Sequence, residues 1–164
     1  SISCMAMWIP SSQNSYEVTM GDPYAQKMTN RTFFAAKADV SGRVVTVLRG
    51  MLEARALHLI APISRAFPTG TIVEFISTDE SNAVPGATVD RIGYVAFVEL
   101  TAGGILLVGD AVQVDGKVIG TIAGYDDTHI PNHQNIILKT EGRVTGEGLG
   151  LRPGTPVLIH GFQS

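Results

Sequence analysis

The sequence predicts a mainly β protein, a small closed β-barrel of six to eight strands with at most one or two short helices. Three observations lead there. The first is composition: the 164 residues are 45% hydrophobic and 16% charged, with 18 glycines and 8 prolines. With Val and Ile plentiful, such a mixture makes short strands joined by tight turns, whereas long helices would want more Glu, Lys and Ala. The second is the stretch Asp110 to Tyr125, "DAVQVDGKVIGTIAGY", which alternates apolar and polar residues on both sides of Asp115-Gly116. An Asp-Gly pair in that setting marks a hairpin, because a type I′ turn needs positive φ at both central residues. The third is a recurring glycine-led entry: Gly70-Thr71-Ile72-Val73, Gly109-Asp110-Ala111-Val112 and Gly154-Thr155-Pro156-Val157. Successive strands of small barrels are entered through similar turns, and closure removes edges that Val/Ile-rich strands would otherwise expose.

Along the chain, residues 1–32 are rich in Ser, Asn, Gln, Thr and Met, contain Pro10 and Pro23, and show no period. They read either as an irregular N-terminal arm, with Trp8 and Tyr16 as candidate anchors, or as a floppy tail, ahead of a single barrel domain over 33–164. Ser41 to Gly50 is a strand candidate. Met51 to Ile60 fits two patterns: Leu52, Ala56, Leu59 and Ile60 make a helical face that Pro62 would end, while Leu57, Leu59 and Ala61 alternate as in a strand. The short helix is the preferred reading. Gly70 to Thr78 and Ile92 to Leu100 are strands, separated by the turn-rich Asp79 to Thr88. Gln134 to Lys139 and Thr155 to Gly161 supply the last two, joined by the turn-rich Thr145 to Gly154.

Composition also excludes function classes. The formal net charge is −3 and no Lys/Arg run occurs, so neither nucleic acid nor an anionic membrane surface is an expected partner. No apolar run reaches the ~20 residues of a membrane span, and the opening "SISCMAMWIP" lacks the basic region of a signal peptide. The single cysteine, Cys4, rules out a disulfide scaffold and a Cys-rich zinc site and fits a cytoplasmic setting.

The chemistry concentrates in Tyr125 to Asn135, where Asp126, Asp127, His129, Asn132, His133 and Asn135 crowd one loop. The histidines are four residues apart, but Pro131 between them removes a backbone donor and with it the helical reading of that spacing. Two histidines with Asp126 are a candidate set for Zn²⁺, Fe²⁺ or Mn²⁺. Without a metal, Asp126 or Asp127 with His129 or His133 makes an acid–base pair working near neutral pH. Asn132, Asn135, Tyr125 and Arg91 are candidate substrate contacts, with a second reading of Arg91 as the ion-pair partner of Asp90. The same residues also suit a purely structural loop, since Asp, Asn, Thr and Pro are turn formers. His58 and His160 read as structural. Glu74 and Glu99 each interrupt an apolar strand and should share one face; inside the barrel they would line a pocket, and outside, the preferred reading, they are solvated charges.

"GDAVQVDGKVIGTIAGYDDTHIPNHQNIILKTEG" with "LRPGTPVLIHG" resembles the C-terminal half of the β-barrel of sorbitol-specific phosphotransferase IIA components, over roughly the last third of the chain. The loop is also similar to bacterial proteins of unassigned function that carry a His-x-Pro-Asn-His-x-Asn pattern, here His129, Pro131, Asn132, His133 and Asn135. The first resemblance implies a barrel, and the second implies no activity. The expected function is therefore a small β-barrel enzyme of isomerase, cyclase, lyase or hydratase type acting on a small organic molecule, and a homo-oligomer. The alternatives are an assembly protein that oligomerises through its N-terminal arm and a sugar or sugar-phosphate binding module.

Overall fold

Seven strands close into a barrel: β1 (Val40–Val47), β2 (Ile72–Thr78), β3 (Ile92–Ala102), β4 (Ala111–Val114), β5 (Lys117–Asp126), β6 (Gln134–Lys139) and β7 (Pro156–Ile159). The structure is a computed structural model and describes residues 33–163; the arm expected over 1–32, with Trp8, Tyr16 and Cys4, lies outside the described residues. Around the wall the order is β1, β7, β4, β5, β6, β2, β3, and β3 returns to β1. Neighbours are antiparallel except β6 and β2, which run parallel. The seven strands fall within the expected six to eight. Among the described residues no α-helix occurs, and hence none long and apolar enough to cross a membrane.

The turns follow the chemistry read from the sequence. Asp115 and Gly116 have φ of 51° and 81° and join β4 to β5. The three repeated glycines share one conformation, with φ of 93° at Gly70, 96° at Gly109 and 95° at Gly154. Each stands just before β2, β4 or β7 in a backbone region that costs an L side chain energy, which is the physical content of the repeat.

Strand alternation divides the apolar residues into two cores. Val73 and Phe75 of β2, Val98 and Leu100 of β3, and Ile136 and Leu138 of β6 join Val112, Val157 and Val44 in the barrel interior. The opposite face of the same wall carries Ile76, Ile92, Ala123 and Ile137, which are covered by Leu57, Leu59, Ala83 and Val89 from the segments flanking β2.

The expected helix over Met51 to Ile60 is not formed. Met51–Leu52 pairs with β3 and Leu57–His58 pairs with Thr88–Val89. Leu57 and Leu59 are fully buried whereas Leu52, on the helical stripe, is 44% exposed, so the period of two prevails. Gly50 and Ala56, with φ of 107° and 58°, also break a helical path. The extended strap Leu57 to Ile60 crosses the end of β5, where Ile60 N–H donates to the Tyr125 carbonyl at 2.8 Å. Gly124 makes room for it: a Cβ there would lie 3.1 Å from Leu59 Cδ1 and 3.3 Å from its Cβ.

Candidate metal centre

Four strands of the wall place one row of side chains side by side. Asp126 of β5 is the register partner of Asn135 of β6, Asn135 of Glu74 of β2, and Glu74 of Phe97 of β3. Directly paired residues share a face. Glu74 alternates with Val73 and Phe75 of the interior core, so this row stands on the outer surface of the barrel.

The β5–β6 loop folds back over the row. Asp126 Oδ1 accepts the Thr128 N–H at 2.9 Å, an Asx turn that starts the loop. Asn132 N–H donates to the His129 carbonyl at 2.8 Å, and the Ile130–Pro131 bond between them is cis. The reversal stacks the two imidazoles, with ring centres 4.9 Å apart and planes at 28°. His133 Nε2 lies 2.8 Å from Glu74 Oε1 and its Nδ1 lies 2.6 Å from Asn132 Oδ1. The edge of the pair meets Phe97, at 5.0 Å and 81° from the His133 ring. His129 Nδ1 faces the Asn135 amide, 3.2 Å from Oδ1 and 3.1 Å from Nδ2.

Glu74, His129 and His133 can each offer one ligand atom, and the three atoms lie within 4.8 Å of one another. Glu74 is 5% exposed and the histidines are half-buried. This group can hold a metal ion. The face of Glu74 is the outer one, as preferred from the sequence, but Glu74 is not a solvated charge, because the histidine loop covers it. Its companion Glu99 keeps more solvent contact and accepts from Arg43 at 2.8 Å. The sequence signal for Glu74 was its interruption of the apolar run "TIVEFIST".

The other expected site residues take different places. Asp126 is 2% exposed and stands beside the group rather than in it. Its oxygens accept from Thr128 N, Asn135 Nδ2 at 3.1 Å and His58 N at 3.0 Å. Burial raises its pKa, but these bonds, chiefly from Thr128 and then from Asn135 and His58, outweigh burial and hold the carboxyl below its usual range. Asp127 is exposed, accepts from Gln134 Nε2 at 2.8 Å and lies 3.7 Å from Arg65. Tyr125 points into the interior core and donates its hydroxyl to the Leu106 carbonyl at 2.9 Å. Burial, with the charge of Asp110, pushes its phenol far up. Arg91 stands at the start of β3 and pairs with Glu53 at 2.8 Å and Asp79 at 3.6 Å rather than with Asp90. His58 donates its backbone N–H to Asp126 Oδ2 at 3.0 Å, and His160 Nε2 lies 2.7 Å from Gln113 Oε1.

A family model, described as a family of unknown function (DUF6917), matches residues 34–160. The chain belongs to DUF6917. The match takes in the whole barrel and the histidine loop, so the membership in an unassigned family expected from the loop holds. Comparison with curated proteins and with solved structures gave no match.

Proposed function

We propose that this DUF6917 barrel is a metal-assisted enzyme acting on a small organic molecule, with Glu74, His129 and His133 as the ligands of one divalent ion. The observation that carries this reading is the convergence of three donors of the right type within 4.8 Å on one patch of the wall. Ligands about 2.0–2.2 Å from one ion lie about 3–4 Å from each other, so the set would close around an ion by rotation of its side chains. Two imidazoles and one carboxylate suit Zn²⁺, Fe²⁺ or Mn²⁺ and leave positions for substrate. A metal there would act as a Lewis acid toward a carbonyl, carboxylate or hydroxyl oxygen, or bring the ionisation of water near neutral pH. The two histidines keep part of their surface in solvent, and the Phe97 ring supplies an apolar side. Isomerase, lyase, cyclase and hydratase reactions each contain a step that a Lewis acid of this kind can assist.

Calorimetric titration of metal-free protein with Zn²⁺ and Mn²⁺, and with Fe²⁺ under anaerobic conditions, tests the reading. Uptake of one equivalent that is lost in Glu74→Ala and His133→Ala is expected; absence of uptake by the wild-type protein would refute it. A second reading rests on the 2.8 Å contact of His133 Nε2 with Glu74 Oε1. That carboxylate–imidazole pair can take and return a proton by itself. Activity that survives exhaustive chelation yet is lost in Glu74→Gln favours this second reading.

A further inference from the structure

We propose that Asn132 and Asn135 are positioning residues, each fixing the tautomer and ring orientation of one histidine ligand, with Asp126 anchoring the Asn135 amide. This inference rests on the metal reading above. A histidine binds a metal through one ring nitrogen, and the partner of the other nitrogen decides which one is free.

For His133 the assignment is direct. Asn132 Oδ1, 2.6 Å from Nδ1, is an acceptor and takes the Nδ1–H. Nε2, the nitrogen that faces Glu74, is then the one that would ligate an ion, which would stand between it and the carboxylate in place of their direct contact.

For His129 the Asn135 amide presents both of its ends at nearly equal distance, and Asp126 fixes which way round the amide lies. Asn135 Nδ2 donates to Asp126 Oδ1 at 3.1 Å. An ionised carboxylate only accepts, so turning the amide over would set two acceptors against each other. Oδ1 of Asn135 is thereby held 3.2 Å from His129 Nδ1, so that with the Nδ1–H tautomer it is the acceptor and Nε2 is again the ligand atom. Asp126 is held in its turn by the backbone N–H groups of Thr128 and His58. A chain of bonds thus runs from the strap and the loop backbone through Asp126 and Asn135 to His129. The spacing His129-x-Pro-Asn132-His133-x-Asn135 becomes intelligible as two histidine–asparagine pairs, His133 with the residue before it and His129 with the residue six later.

The test is Co²⁺ binding, read as affinity and as the visible spectrum of the bound ion, in wild type, Asn132→Ala, Asn132→Asp and Asn135→Ala, with the thermal midpoint of each metal-free protein. Asn132 is exposed, so Asn132→Ala should keep the wild-type midpoint while losing about 10–100-fold in affinity. Asn132→Asp, which restores an acceptor, should bind within a few-fold of wild type. Asn135→Ala should lose affinity similarly and change the spectrum; being buried, it also lowers the midpoint, and the Asn132 pair keeps the proposal falsifiable if Asn135→Ala does not fold. Wild-type Co²⁺ uptake with unchanged affinity and spectrum in both alanine variants would overturn the positioning roles alone. A wild-type protein that takes up no Co²⁺ would overturn the metal centre and these roles with it.

Discussion

Replacing Asp126 by alanine removes one acceptor from three donors at once: His58 N–H at 3.0 Å, Thr128 N–H at 2.9 Å and Asn135 Nδ2 at 3.1 Å. A buried donor stripped of its acceptor costs about 1–3 kcal/mol. Asn135 is fully buried and belongs at the top of that range. The two backbone donors lie in part-buried surroundings, where water offers a replacement, and belong near the bottom. The sum is about 3–5 kcal/mol, a large share of the roughly 5–15 kcal/mol that holds a domain folded.

The same carboxylate gives the loss a pH signature. Its folded pKa is depressed, because its hydrogen bonds outweigh its burial. Its contribution is therefore present above the unfolded value and disappears as pH falls through the folded one. Urea unfolding of wild type and Asp126→Ala should show the full difference at pH 7 and a shrinking difference below about pH 4. A loss under about 1 kcal/mol at neutral pH, or one that stays constant into acid, would refute the reasoning that Asp126 is an ionised anchor of the loop.

Two further outcomes follow from packing. Gly124→Val drives a Cβ and two methyls into Leu59, whose Cδ1 would already stand 3.1 Å from the Cβ alone; a loss of about 1–3 kcal/mol is expected in urea unfolding, with faster hydrogen exchange at the His58 amide as the strap lifts from Asp126. Phe75→Ala empties a fully buried position of the interior core and should cost about 3–5 kcal/mol without changing metal affinity, measured by the same unfolding experiment and a Zn²⁺ titration.

What could be read from the sequence divides along the line between local and distant interactions. The Asp115-Gly116 hairpin and the three glycine entries were legible because backbone sterics act within two or three residues, and the structure returns them with the required φ values. The strap from Met51 to Ile60 was not legible in the same way. Its apolar positions satisfy both periods, and only burial of Leu57 and Leu59 under the outer core, with cross-strand partners for the backbone, decides between them. The candidate site repeats the division within a single cluster. Each histidine finds its asparagine within the loop and the first turn of pairing, so the polar density of Asp126 to Asn135 pointed to the right place. The third donor arrives from β2, far earlier in the chain, through the parallel pairing of Asn135 with Glu74. Parallel neighbours share no turn and leave no local signature, so strand alternation could put Glu74 and Glu99 on one face but could not say that a loop would close over one of them. Register makes the difference: Glu99 lies opposite Ile72, two residues along β2 and next to Arg43, whereas Glu74 lies in the row onto which the loop returns. A one-residue slip of β6 against β2 would send Asn135 and Glu74 to opposite faces, leaving His133 without its carboxylate and His129 without its amide.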